Sequence, residues 1–178
     1  SGGADYDKGM AAYKSGDYST ALRYMRPLAE QGNADAQHNL GVMYGDGDGV
    51  PQDDKTTLKW WTLAAEQGRA KSQFNLGWLY ERGDGVPQDD KTAVKWYTLA
   101  AEQGDADAQL NLGGMYGKGR GVLQDNIYAH MWVHIAASSG DTDASSYRDE
   151  IAKEMTPAQI EKAEKLAREC VAKKYKGC

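Results

Sequence analysis

An all-α fold, an α/α superhelix or solenoid of antiparallel helix pairs, is the class that these 178 residues predict. Three observations lead there. Glycines recur every 36 residues, at Gly32, Gly68, Gly104 and Gly140, at Gly41, Gly77 and Gly113, and at Gly49, Gly85 and Gly121; self-similarity at such a period marks a repeat protein. Residues 33–68 and 69–104 agree at 25 of 36 positions, and 105–140 keep the same frame. Within each copy the apolar residues fall at helical spacing, Leu40 with Tyr44 and Trp60 with Ala64, so each copy reads as two short amphipathic helices, A then B.

Taken in order, residues 5–32 form a first helix pair, because Ala21 to Gly32 aligns with Thr57 to Gly68. Its loop, Ser15-Gly16-Asp17, is five residues shorter than the later ones. Pro27 falls inside its B helix, where a proline removes a hydrogen bond and crowds the preceding turn, so a kink is expected there. The full copies 33–68, 69–104 and 105–140 follow. Asn33, Asp105 and Asp141 are placed to cap A helices, and Asp53, Asp89 and Asp125 to cap B helices, by accepting from free backbone N–H groups. Arg69 departs from that set. The glycine that closes each copy suits the left-handed residue beyond a helix end. Gly41, Gly77 and Gly113 lie inside A helices, where glycine costs about 1 kcal/mol relative to alanine. Close approach of the B helix, through Trp60, Trp96 and Trp132 or their neighbours, would offset that cost.

The closing unit, 141–178, has one A helix at about 142–153 and no glycine-rich loop. Thr156, Pro157 and Gln159 then spell a capping box with proline at the first helical position. A longer helix at about 157–174 follows, and an atypical last unit is what a solenoid needs where its outer face meets water. Residues 4–178 read as a single domain.

Ala-x-x-x-Leu-Gly-x-x-Tyr stands at Ala36 to Tyr44, Gly-x-Gly-Val-x-x-Asp at Gly47 to Asp53, and Trp60 precedes Ala64-Ala65-x-x-Gly68. These strings recur twice and resemble the Sel-one-like repeat (SLR) family, a relative of the tetratricopeptide repeats. The resemblance implies a tetratricopeptide-like stack whose A helices line the concave side, a non-catalytic module for protein–protein interaction, and a bacterial envelope or secreted setting.

Composition and motifs exclude several other classes. The net charge of −5, with both signs interspersed, lacks the basic footprint of nucleic-acid binding. Lys and Arg gather only in residues 161–178, six against three acids, as on a solvated helix face. No apolar run reaches the 18 residues of a membrane span. Asp46, Asp48, Val50 and Thr57 occupy a calcium-loop frame but lack an oxygen ligand at its fifth position and the bidentate Glu at its twelfth. Gly117 to Gly121 lacks the strand and the Gly-Lys-Ser/Thr ending of a phosphate loop. His130 and His134 are one turn apart, as in zinc helices, yet no third ligand lies between them, and packing is the favoured reading. No metal or cofactor is expected. The three histidines offer no nucleophile with a nearby base, and the chain is read as no enzyme. Cysteine-rich relatives have been discussed as binding or cleaving β-lactams; their regular cysteine pairs and a Ser-x-x-Lys motif are both missing, so a hydrolase of that type is the least favoured alternative.

Cys170 and Cys178, the only cysteines, are eight residues apart with Gly177 able to turn the chain back. They can bridge if their Cα atoms approach within about 4.4–6.8 Å; the alternative is two free thiols of a reducing compartment. The even count favours a disulfide and a periplasmic or secreted protein. The start, Ser1-Gly2-Gly3 without Met, looks like a fusion scar on a mature form, which a removed signal peptide would fit.

Function is therefore sought on the surface. On the concave face that the resemblance implies, His38, Phe74 and Leu110 share one position of the repeat, and Val42, Trp78 and Gly114 another. Phe74 and Trp78, one turn apart, would make an aromatic stripe, either groove or core; the span from Val to Trp to Gly favours a surface anchor. Asn39, Asn75 and Asn111 recur identically and suit either a bond to the next repeat or a clamp on an extended peptide. The expected partner is a protein or peptide held by this face of a monomer, and an accessory structural subunit of a bacterial envelope or secretion assembly is the alternative.

Overall fold

The computed structural model describes residues 2–178, and among them it holds ten helices and no strand. The helices are α1 (Gly2–Lys14), α2 (Tyr18–Glu30), α3 (Ala34–Asp46), α4 (Asp54–Glu66), α5 (Ala70–Arg82), α6 (Asp90–Ala101), α7 (Ala106–Lys118), α8 (Asn126–Ser138), α9 (Thr142–Ala152) and α10 (Pro157–Ala172). Odd-numbered helices are the A helices of the repeat, and even-numbered ones the B helices, in an all-α repeat solenoid fold.

Local chemistry sets the boundaries. Asn33 Oδ1 accepts from the Ala36 N–H at 2.9 Å, Asp105 Oδ1 from Ala108 at 2.9 Å and Asp141 Oδ1 from Ala144 at 3.0 Å. Asp53, Asp89 and Asp125 cap α4, α6 and α8 in the same way. Arg69, in the cap position before α5, instead pairs its guanidinium with Asp35 at 2.9 Å. Gly32, Gly68, Gly104 and Gly140 take φ of +90° to +97°, where a Cβ is penalised. At α10 the full capping box forms, Thr156 and Gln159 bonding each other's backbone N–H. α2 runs on through Pro27 to Glu30.

The chain divides into two compact units, one ending at Leu76 and the other spanning Gly77–Cys178. In the first, α1 packs on α2, α2 on α3 and α3 on α4, around Leu22, Met25, Leu40, Met43 and Trp60. In the second, α6 packs on α7, and α7, α9 and α10 all pack on α8, around Val133, Ile151, Met155 and Ala163.

The helical glycines are explained by the residue after each repeated tryptophan. Trp61 lies against Gly41, Tyr97 against Gly77 and Val133 against Gly113; a Cβ on Gly77 would stand 2.6 Å from the Tyr97 ring. A second periodic device ties α3, α5 and α7 each to the B helix before it: the buried Gln37, Gln73 and Gln109 amides donate to the carbonyls of Ala29, Ala65 and Ala101, each at 3.1 Å.

Candidate interaction groove

Within the second unit three A helices border a groove of about 400 Å³. From α5 come Trp78, Glu81 and Arg82, at helical spacing on one face. Leu110, Asn111, Gly114, Met115 and Lys118 of α7 form the floor, Tyr147 of α9 closes the far side, and Arg120 reaches in from the loop after α7.

A polar network fixes one wall. The Tyr97 hydroxyl donates to Glu81 Oε1 at 2.7 Å and accepts from Asn111 Nδ2 at 3.3 Å. Arg120 donates to Glu81 Oε2 at 3.0 Å and to both oxygens of Asp90 at 3.1 and 3.3 Å. Burial, and then the bond to Glu81, hold the Tyr97 phenol far above its ordinary pKa, so it stays a neutral donor. Glu81 is thus committed on both oxygens. Trp78 is 42% exposed, and the Arg82 guanidinium lies over its ring, 4.5 Å from the centroid. Arg82 also pairs with Asp84 at 2.9 Å on the open surface, where such pairs contribute little.

Gly114 is the exception among the glycines inside these helices. A Cβ there would meet nothing within 4 Å, so no neighbour requires its absence, and glycine still costs about 1 kcal/mol against alanine.

The positions singled out from sequence are not equivalent. Trp78, Leu110 and Asn111 line the groove, although Leu110 also packs against the core of the second unit. His38 does not reach an open face. It is buried, its Nδ1 stands 2.8 Å from the Ser72 hydroxyl, its ring stacks on Trp61, and burial lowers its pKa to about 4. Asn39 donates to the Tyr6 hydroxyl at 2.9 Å and to the Met10 sulfur at 3.2 Å. Val42 and Asn75 are half-buried, as is Phe74, which has Lys71 Nζ 5.5 Å from its ring centroid.

Elsewhere, Cys170 and Cys178 are bonded, with Cα atoms 5.6 Å apart. His130 and His134 stack with ring centroids 5.9 Å apart. Among the described residues no group of three or more His, Cys, Asp and Glu could hold a metal, and no helix is long and apolar enough to cross a membrane.

Glu81, Arg82 and Tyr147 were not singled out from sequence, and Lys118 and Arg120 only as part of the Gly117 to Gly121 turn. Three of them carry a signal in departing from the repeat: Glu81 replaces Gly45 and Gly117, Arg120 replaces Asp48 and Asp84, and Tyr147 replaces the recurrent asparagine.

Comparison with known proteins follows the same frame. A family model, Sel1 repeat, matches residues 4–33, 34–68, 70–105 and 106–141. A solved Sel1 repeat protein from Oxalobacter formigenes is 36% identical, covering 72% of this chain and 97% of its own, with a TM-score of 0.69. A protective antigen of uropathogenic Escherichia coli strains, displaying an SLR fold, is 27% identical at a TM-score of 0.60; the match covers 98% of this chain and 47% of the antigen. Cysteine rich protein B of Helicobacter pylori, 23% identical over 74% of this chain and 94% of its own with a TM-score of 0.58, shares the fold. No curated protein matches.

Proposed function

The chain belongs to the Sel1 repeat family, and on that premise we propose that it is a non-catalytic interaction module that holds a protein or peptide in the A-helix groove of its second unit. The observation that carries this reading is Trp78, a large aromatic ring left 42% exposed on the wall of a cleft. Aromatic residues in such settings are the usual anchors of protein interfaces. The groove lining contains no Ser, Cys or His to act as nucleophile or base, and its one carboxylate, Glu81, is committed to Tyr97 and Arg120. Such a lining suits binding and orientation of a ligand.

A periplasmic or secreted setting is part of the proposal, supported by the Cys170–Cys178 bond, since disulfides persist in oxidising compartments. Thiol alkylation of intact cells of the source bacterium, followed by a mass-shift gel, tests it: an unmodified pair until reductant is added is expected, and two alkylated thiols would refute it.

The binding reading is tested by capture from an envelope extract with immobilised wild type, Trp78→Ala and, as a control, Leu123→Ala, whose side chain is 90% exposed in a loop outside the groove. At least tenfold loss with Trp78→Ala alone is expected. Equal capture by all three proteins would sink the groove as the binding surface.

A further inference from the structure

The chemistry of the groove narrows what it takes. Gly114 interrupts a helix interior with no close neighbour to demand it, while the equivalent positions carry Val42 and Trp78. Its bare backbone opens the floor between Trp78 on one side and Tyr147 on the other. Apolar surface is therefore offered at the centre. Charge is offered at the edge. Arg82, Lys118 and Arg120 outnumber Glu81 among the lining residues. Arg120 is already balanced by Glu81 and Asp90, and Lys118, exposed at the end of α7, has no ion-pair partner among the described residues. An anionic group seated there would meet Lys118 and the exposed guanidinium of Arg82, which shares only a surface pair with Asp84, and would complement the rim.

From this juxtaposition we infer that the groove binds an extended peptide segment in which a large apolar side chain, seated over Gly114 between Trp78 and Tyr147, adjoins an Asp or Glu that faces Lys118 and Arg82. The inference rests on the interaction-module reading and specifies the ligand of that site. The backbone of α7 tolerates a side chain at 114, because a Cβ there meets open space and the first full repeat carries valine at the equivalent position. Gly114→Val therefore fills the cleft without unfolding the protein.

The probe is a bead library of amide-capped hexapeptides randomised at two adjacent central positions, screened with fluorescently labelled protein. Wild type is expected to enrich Phe, Tyr, Trp, Leu or Ile next to Asp or Glu. Affinity for the best sequence, measured by fluorescence anisotropy, should fall at least tenfold in Gly114→Val. Thermal unfolding of that variant should show no loss of melting temperature. Lys118→Glu should shift the neighbouring preference from acidic to basic. A flat profile, a preference for basic neighbours in wild type, or full binding by folded Gly114→Val would overturn the inference. If those results came with capture that still depends on Trp78, only the ligand assignment would fall; capture indifferent to Trp78 would remove the broader reading as well.

Discussion

Around Gly41 in the first unit and Gly77 in the second, one packing device produces opposite surfaces. Trp61 lies against Gly41, and its indole N–H ends on the His38 carbonyl at 3.0 Å. His38 itself is buried on Ser72, and the half-buried Asn39 spends its Nδ2 on Tyr6 and Met10. Tyr97 lies against Gly77 with the same geometry, but its hydroxyl passes on to Glu81, which also holds Arg120 beside an open cleft. An edge of each ring packs against the glycine, Cδ1 and Nε1 of Trp61 and Cδ1 and Cε1 of Tyr97. The partner of the polar atom differs, a backbone carbonyl for Trp61 and the Glu81 carboxylate for Tyr97, and with it whether the patch closes on itself or borders a cleft.

Disrupting the shared glycine contact has the largest expected effect. Gly41→Val and Gly77→Val each drive a branched side chain into a packed ring, at a cost of about 3 kcal/mol and about 10 °C in melting temperature for a chain of this size. Calorimetry should show similar losses for both. A loss confined to one unit would mean that the two contacts are not equivalent.

Acid tests the closed side next. His38 ordinarily titrates near 6.5 and is pushed down to about 4, by burial first and by Arg69 second. The unfolded chain therefore binds the proton more readily than the folded one, and stability present above pH 6.5 is lost as pH falls towards 4. The loss should be about 3 kcal/mol by pH 4. His38→Phe, the residue of the next repeat, should flatten that part of the urea-midpoint profile between pH 4 and 7; an unchanged slope would place the proton uptake elsewhere.

Adjacent glycines sharpen the open side. Gly113→Ala meets Val133 and the Ala129 carbonyl, the latter 3.0 Å away, and should destabilise by about 1–2 kcal/mol. Gly114→Ala meets nothing and should stabilise by up to about 1 kcal/mol. Melting temperatures that move in the same direction would undo the distinction between a packing glycine and a cleft glycine.

The smallest effect belongs to Arg120→Ala. The guanidinium is 37% exposed, and its partners Glu81 and Asp90 are 23% and 25% exposed, so solvent screening limits the cost to about 1 kcal/mol or less. That cost should shrink further in 1 M salt, as a denaturation series would show.

The helix pairs were legible in sequence because what ends a helix is local: Asp53 accepts from Lys55 and Thr56, and Gly68 turns at a left-handed φ, with every needed group within a few residues. The burial of His38 was not, since Ser72 is 34 residues away and enters only through the packing of one repeat on the next. Trp60 and Trp61 show the cost of one position. A single residue turns a helix by about 100°; the sequence frame left the contact with glycine to the recurrent tryptophans or their neighbours, and it is the neighbours Trp61, Tyr97 and Val133 that make it. The groove was half visible. Trp78 and Gly114 stood out as departures from the period, whereas Glu81 and Arg120 acquire meaning only when folding brings them to 3.0 Å.

Gln37, Gln73 and Gln109 close their junctions with one identical amide-to-carbonyl bond, and that uniformity bears on how such a gene can change. An in-frame duplication or deletion of 36 codons cuts between a donor and an acceptor of the same kind and rejoins another matching pair. Length can then vary between descendants without a new joint having to evolve, while point changes such as those at 78, 81, 114 and 120 distinguish one copy from the next.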